Sequence, residues 1–137
     1  MSDGRVRPVA TPETRGFWDA TARGELRVCG CGACGHVFLP PQARCPRCGA
    51  DLVASRPASG RGRILSAVVS HLPAPGLVPP FVLAVVALDE GAQLLTNIVE
   101  VEPRLSAVPP DLAVEVVFEP LGEVALPLFR PVPRSDR

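Results

Sequence analysis

The sequence predicts a mostly β fold with one short helix near its N-terminus. Three observations carry this. The 137-residue chain holds 17 Pro and 12 Gly, punctuation that favours short strands and turns over long helices. Short apolar or alternating runs recur after residue 60, with no helical period between them. Five cysteines fall between residues 29 and 48 in a pattern that calls for tight loops.

Composition narrows the class. Hydrophobic residues make up 47% and charged residues 20%, a globular balance. No apolar run approaches the roughly 18 residues of a membrane span. Met1-Ser2-Asp3-Gly4-Arg5 lacks the charged-then-apolar layout of a secretory leader. The expectation is a cytoplasmic protein with no membrane span. All 14 basic residues are Arg, as a GC-rich genome favours. Residues 1–68 hold ten Arg against five acids, and residues 69–137 hold four Arg against nine acids. That asymmetry divides the chain into two functional regions.

Residues 1–10 read as a loose arm. Thr11-Pro12-Glu13 reads as a helix start, with Thr as N-cap and Pro at the first helical position. The helix is predicted to reach Arg23 and stop at Gly24. Glu25–Val28, His36–Leu39 and Leu52–Ser55 read as strands framing the cysteines. Five further strands follow at 62–71, 81–88, 93–101, 114–119 and 124–130. Phe81–Leu88 is apolar throughout and suits a strand buried on both faces. Pro127 places the last strand at an edge. Five short strands without helices predict a small closed barrel, most commonly the OB-fold. The predicted layout is arm and helix at 1–28, ribbon at 29–55, barrel at 56–133 and tail at 134–137.

Four cysteines form two matching knuckles, Cys31-Gly-Ala-Cys34-Gly35 and Cys45-Pro-Arg-Cys48-Gly49. Each C-x-x-C loop turns two thiolates toward one tetrahedral ion, and the following Gly permits the positive φ of the turn. Two such loops predict a rubredoxin-like ribbon with structural Zn²⁺ on Cys31, Cys34, Cys45 and Cys48. Iron uses the same ligands, and spacing does not separate the two metals. Cys29 reads as a spare thiol. A closed Cys₄ site leaves no open position for Lewis-acid chemistry. His36 and His71 lack a neighbouring nucleophile in sequence, and no G-x-S-x-G turn or phosphate-binding glycine loop occurs. Single-stranded nucleic-acid binding is the alternative, since ribbons and OB-folds both serve it. The acidic, aromatic-poor barrel argues against that reading.

The ordered set of motifs resembles a family. Phe17-Trp18, Gly24-x-Leu26, the two knuckles, Pro40-Pro41, Ser59-Gly60-x-Gly62, Leu88-Asp89-Glu90-Gly91 and Val117-Phe118-Glu119-Pro120 span about residues 15–131. The chain is similar to the zinc-ribbon and OB-fold proteins of the domain of unknown function 35 family. Gln42 stands where many members carry a basic residue, and Cys29 is an addition. The resemblance implies a non-catalytic accessory subunit of a thiolase-like acyl-CoA enzyme, sometimes joined by a hot-dog-fold hydratase. The implied reactions are thioester condensation, acyl transfer, and breakdown of steroid side chains or aromatic compounds. It also implies a shared coenzyme A or acyl-CoA ligand. Arg44, Arg47, Arg61 and Arg63 are the candidates for its phosphates, because Arg matches phosphate bidentately. Phe17, Trp18 and Phe81 are the candidate partner contacts.

Overall fold

A computed structural model describes residues 5–133. The predicted tail at 134–137 and the first four residues of the arm lie outside them. Within the described part of the arm, Arg5 is tied down while Val6 and Val9 are exposed. Arg5 donates to Asn97 Oδ1 at 3.0 Å and pairs with Glu119 at 3.6 Å.

The single helix α1 spans Arg15–Ala22, shorter than predicted. Thr11 does cap a turn: its Oγ1 accepts the Thr14 N–H at 3.3 Å, and Thr14 Oγ1 accepts the Thr11 N–H at 2.8 Å. This reciprocal pair follows the logic of a capping box. It closes a separate turn at 12–14, and the regular helix begins only after it. The C-terminal stop is as predicted. Gly24 takes φ 78°, with Glu25 N bonded to Ala20 O and Gly24 N to Thr21 O. These are the two hydrogen bonds of a Schellman motif.

The ribbon is a three-stranded antiparallel sheet of β1 (Arg27–Cys31), β2 (Val37–Phe38) and β3 (Val53–Pro57), in the order β2-β1-β3. β1 lies two residues later than the predicted Glu25–Val28 and ends on Cys31 itself. It is buried on both faces. Val28 joins the barrel core, while Cys29 and Cys31 pack with Phe38 and Cys45. β3 continues past Ser55 because Arg56 and Pro57 still pair with Val28 and Arg27.

The remaining strands are β4 (Arg61–Ser70), β5 (Phe81–Leu88), β6 (Gln93–Ile98), β7 (Ala113–Leu121) and β8 (Val124–Pro131). They close into the barrel that five short strands without helices predicted, in the order β4-β5-β6-β8-β7. Ile64, Val82, Val86, Val114 and Phe129 fill its centre. Two expectations change. β5 is not buried on both faces: Val82, Ala84, Val86 and Leu88 point inward, and Phe81, Leu83, Val85 and Ala87 are half-buried on the outside. β8 is not an edge strand, because it pairs along its length with β7 and joins β6 in parallel at Ile98–Phe129. The proline signal survives locally. That seam has one register pair, and Pro127 O accepts Thr96 Oγ1 at 2.9 Å instead of a ladder N–H.

α1 packs chiefly on β8. Its buried residues are the small Ala20 and Thr21, which let the helix approach the barrel closely. Phe17 packs against the core that the barrel shares with Leu26 and Val28 of the ribbon side.

Candidate metal centre and the surrounding surface

The two knuckles are near copies. Cys31 N and Cys45 N bond to His36 O and Ala50 O at 2.9 Å. Gly35 N and Gly49 N bond to Cys31 O and Cys45 O, also at 2.9 Å. Gly35 and Gly49 have φ of 80° and 78°, which only glycine adopts without strain. Backbone N–H groups then point at sulfur: Ala33 N lies 3.3 Å from Cys31 Sγ, and Arg47 N lies 3.4 Å from Cys45 Sγ.

The loops bring the four Sγ atoms of Cys31, Cys34, Cys45 and Cys48 within 4.8 Å of one another. The pairs 31–48 and 34–45 are each 3.6 Å apart. A tetrahedron with bonds of about 2.3 Å to sulfur has edges of about 3.8 Å, so the thiols fit a zinc-sized cation. Their electrostatics also call for one. The backbone N–H of Cys34, aided by that of Ala33, holds the Cys31 thiol down at about 6. Cys48 is pushed up to about 11: the Ala50 N–H lowers it, but the sulfurs of Cys31, Cys34 and Cys45 together with desolvation outweigh that help. Without a cation the site cannot ionise all four thiols together. Four cysteines are thus arranged for metal binding. Cys29 stands outside the set, and burial pushes its thiol up against a lowering contact from the Gln42 backbone. His36 stacks on Phe38 with centroids 5.6 Å apart, and His71 is exposed.

The four candidate arginines do not converge on one cavity. Arg44 donates to Gly49 O at 3.1 Å, within its own knuckle. Arg47 is exposed and makes no side-chain hydrogen bond or ion pair among the described residues. Arg61 faces Glu115 at 4.0 Å, and Arg63 faces Asp111 at 3.3 Å. A groove lined by other residues lies elsewhere. A cavity of about 430 Å³ lies between α1, the Leu39–Pro41 turn and the β6/β8 seam, with Phe17 and Trp18 on its wall. Those two rings meet edge to face at 4.9 Å. Phe81 lines a second cavity of about 340 Å³. The sequence reading missed Arg5, Thr96 and Asn97, which sit on these walls. The available signal was the polar pair Thr96-Asn97 inside the run Leu94-Leu95-Thr-Asn-Ile98.

The comparisons with known proteins agree with this architecture. Residues 18–54 match the family model described as the rubredoxin-like zinc ribbon domain of ChsH2. Residues 55–119 match the ChsH2 C-terminal OB-fold domain. A probable enoyl-CoA hydratase alpha subunit of Thermomonospora curvata is 33% identical over 96% of this chain and 42% of its own length. The chain thus spans under half of that relative. A DUF35 domain-containing scaffold protein of Pyrococcus furiosus is 30% identical over 83% of this chain and 90% of its own. A chain of the solved Ltp2-ChsH2(DUF35) aldolase superposes with a TM-score of 0.79. It shares 32% identity over 91% of this chain and 98% of that one. Knuckle spacing, ribbon topology, barrel order and these matches lead to one assignment: the chain belongs to the zinc-ribbon and OB-fold family of ChsH2 domains and DUF35 scaffold proteins.

Proposed function

We propose that this protein is a non-catalytic accessory subunit of a thiolase-superfamily acyl-CoA enzyme, a thiolase, acyltransferase or retro-aldolase. In this reading it stabilises the partner and helps hold CoA or acyl-CoA. The observation that carries the reading is the likeness, over nearly the whole of both chains, to a chain of the Ltp2-ChsH2(DUF35) aldolase. A hot-dog-fold hydratase is a further candidate in the assembly, supported by the hydratase alpha-subunit relative.

Cys31, Cys34, Cys45 and Cys48 hold structural zinc in this account. The metal fixes the two loops and offers no open position to substrate. The outer barrel face supports a protein partner: Val68 and Leu95 are 57% and 70% exposed beside the half-buried Leu83 and Val85. Phe17, Trp18 and Phe81 extend this apolar surface toward the helix. Exposed apolar patches of this kind mark interaction sites.

Arg44, Arg47, Arg61 and Arg63 are assigned to the CoA phosphates. Arg47 is free of described partners. The Arg63–Asp111 pair is exposed on both sides and worth at most about 1 kcal/mol, so an anion displaces it, and the Arg61–Glu115 contact is long at 4.0 Å, with Glu115 also held by Arg130. These arginines lie on open surface, and the partner closes the site over them. Arg47→Glu in the assembled complex should raise KM for acyl-CoA and leave assembly intact by analytical ultracentrifugation. Trp18→Ala should weaken assembly by about 2 kcal/mol. Unchanged KM would remove the arginines from the CoA reading, and unchanged assembly would remove Trp18 from the interface.

A further inference from the structure

The strand that joins the second knuckle to the barrel carries an arginine that the sequence reading left out. Residues 44–63 hold five arginines against one acid, Asp51. The predicted strand stopped at Ser55, which put Arg56 in a linker. β3 runs on to Pro57, so Arg56 belongs to the sheet and pairs with Val28. Its side chain shares a face with those of Val28, Val37 and Ala54, because directly paired residues and residues two apart point the same way. The barrel covers this face at both valines. Val28 lies in the shared core, and a Cβ on Gly91 of the β5–β6 turn would lie 3.8 Å from the Val37 Cβ.

Gly30 belongs to the same face, opposite Val37 and Ala54. It is buried, and the Arg56 guanidinium lies over it. A Cβ on Gly30 would fall on that group, 2.5 Å from its carbon and from Nε. Gly30 has no positive φ, so the backbone itself does not call for glycine there. The close approach of Arg56 does. This contact holds the side chain in place without neutralising it. Arg56 is exposed and has no hydrogen-bond or ion-pair partner among the described residues. Arg44, Arg61 and Arg63 differ, since each is turned to an acceptor of the chain itself. An arginine held by packing keeps its fork of donors free and has less freedom to lose on binding.

We propose that Arg56 is a further phosphate-binding residue at the seam of ribbon and barrel, and that Gly30 is its positioning residue. A diphosphate carries several negative charges, which suits a segment with five arginines and one acid. A carboxylate on a partner would need only one of them. The inference deepens the CoA reading and rests on it for the identity of the ligand. The anion site itself stands on Gly30 and Arg56.

The test titrates the full zinc-loaded chain with inorganic diphosphate and follows the arginine Nε–H signals by NMR. The Arg56 signal should move and saturate, while that of Arg15, exposed on α1, stays nearly still. Arg56→Met should weaken binding about fivefold or more, through loss of a charge-assisted contact. Arg56→Lys should recover only part of that loss, because an ammonium lacks the planar fork. Gly30→Ala keeps the arginine but displaces it, so it should bind as weakly as Arg56→Met, and the double variant no more weakly than either. Zinc content checks the fold, and if Gly30→Ala loses zinc the two Arg56 variants decide alone. Unchanged diphosphate affinity in Arg56→Met would overturn the proposal, as would an Arg15 response as strong as that of Arg56. Unchanged affinity with weakened assembly in Arg56→Met would overturn it in favour of an ion pair with a partner carboxylate. In the assembled complex, Arg56→Met should raise KM for acyl-CoA and leave kcat unchanged. Lost diphosphate binding with unchanged KM would keep the phosphate site and remove CoA as its ligand, which separates failure of the CoA reading from failure of the site.

Discussion

At the scale of single residues, the five cysteines separate into four and one. The knuckle spacing made the four legible, because a C-x-x-C-G loop has few other uses. The odd thiol was legible only as an excess. β1 explains it: Cys29 and Cys31 sit two apart on one face of a strand, so Cys29 packs into the ribbon core beside the converging sulfurs. Cys45→Ser should lose zinc and unfold the ribbon, because so small a unit has too little core without its metal. Cys29→Ser should keep one zinc per chain, and elemental analysis of the two proteins distinguishes them. Acid should act in the same direction as Cys45→Ser. Zinc needs all four thiolates, so uptake by metal-free protein should release protons, including that of Cys48, whose thiol is held up at about 11. Zinc retention should fall as pH falls, and a chromogenic chelator follows it. Arg5 was not legible. Its anchoring depends on Asn97, 92 positions away, and no local pattern in the arm encodes that contact.

At the scale of elements, turn chemistry was read well and partners were not. Gly24 ended the helix, and Gly91 turned the β5–β6 hairpin with φ 110°. Local signals decided these positions. The face each element buries is a tertiary matter, and there the readings shifted. The apolar β5 suggested cover on both sides, but its outer face stays half-open. The aromatic helix suggested a ribbon contact or a partner; α1 does touch β1 but packs chiefly on β8, and Phe17 packs on the core that ribbon and barrel share. Phe17→Ala should therefore destabilise the isolated chain by about 2 kcal/mol or more. Gly62 shows a constraint of another kind. It has ordinary backbone angles, but a Cβ there would strike Ala87 O on the paired strand. Gly62→Ala should cost about 1–3 kcal/mol as an overpacked contact, with urea midpoints reading both variants. A Gly62→Ala protein as stable as wild type would mean that β4 and β5 can separate at little cost.

At the scale of the whole molecule, ribbon and barrel share one core. Leu26 and Val28 from the ribbon side pack with Ile64, Val86 and Phe129, and Ala58 N bonds back to Leu26 O at 2.9 Å. The fold class was legible because metal spacing and strand punctuation are both local. The candidate CoA surface was less so, since four arginines close in sequence need not meet in space. The most direct test is acyl-CoA turnover by the chain alone, by its co-purified partner alone and by the reconstituted pair. The account predicts no turnover by the chain, reduced turnover or stability of the stripped partner, and recovery on mixing. Turnover by the chain alone that is abolished by His71→Ala would contradict it.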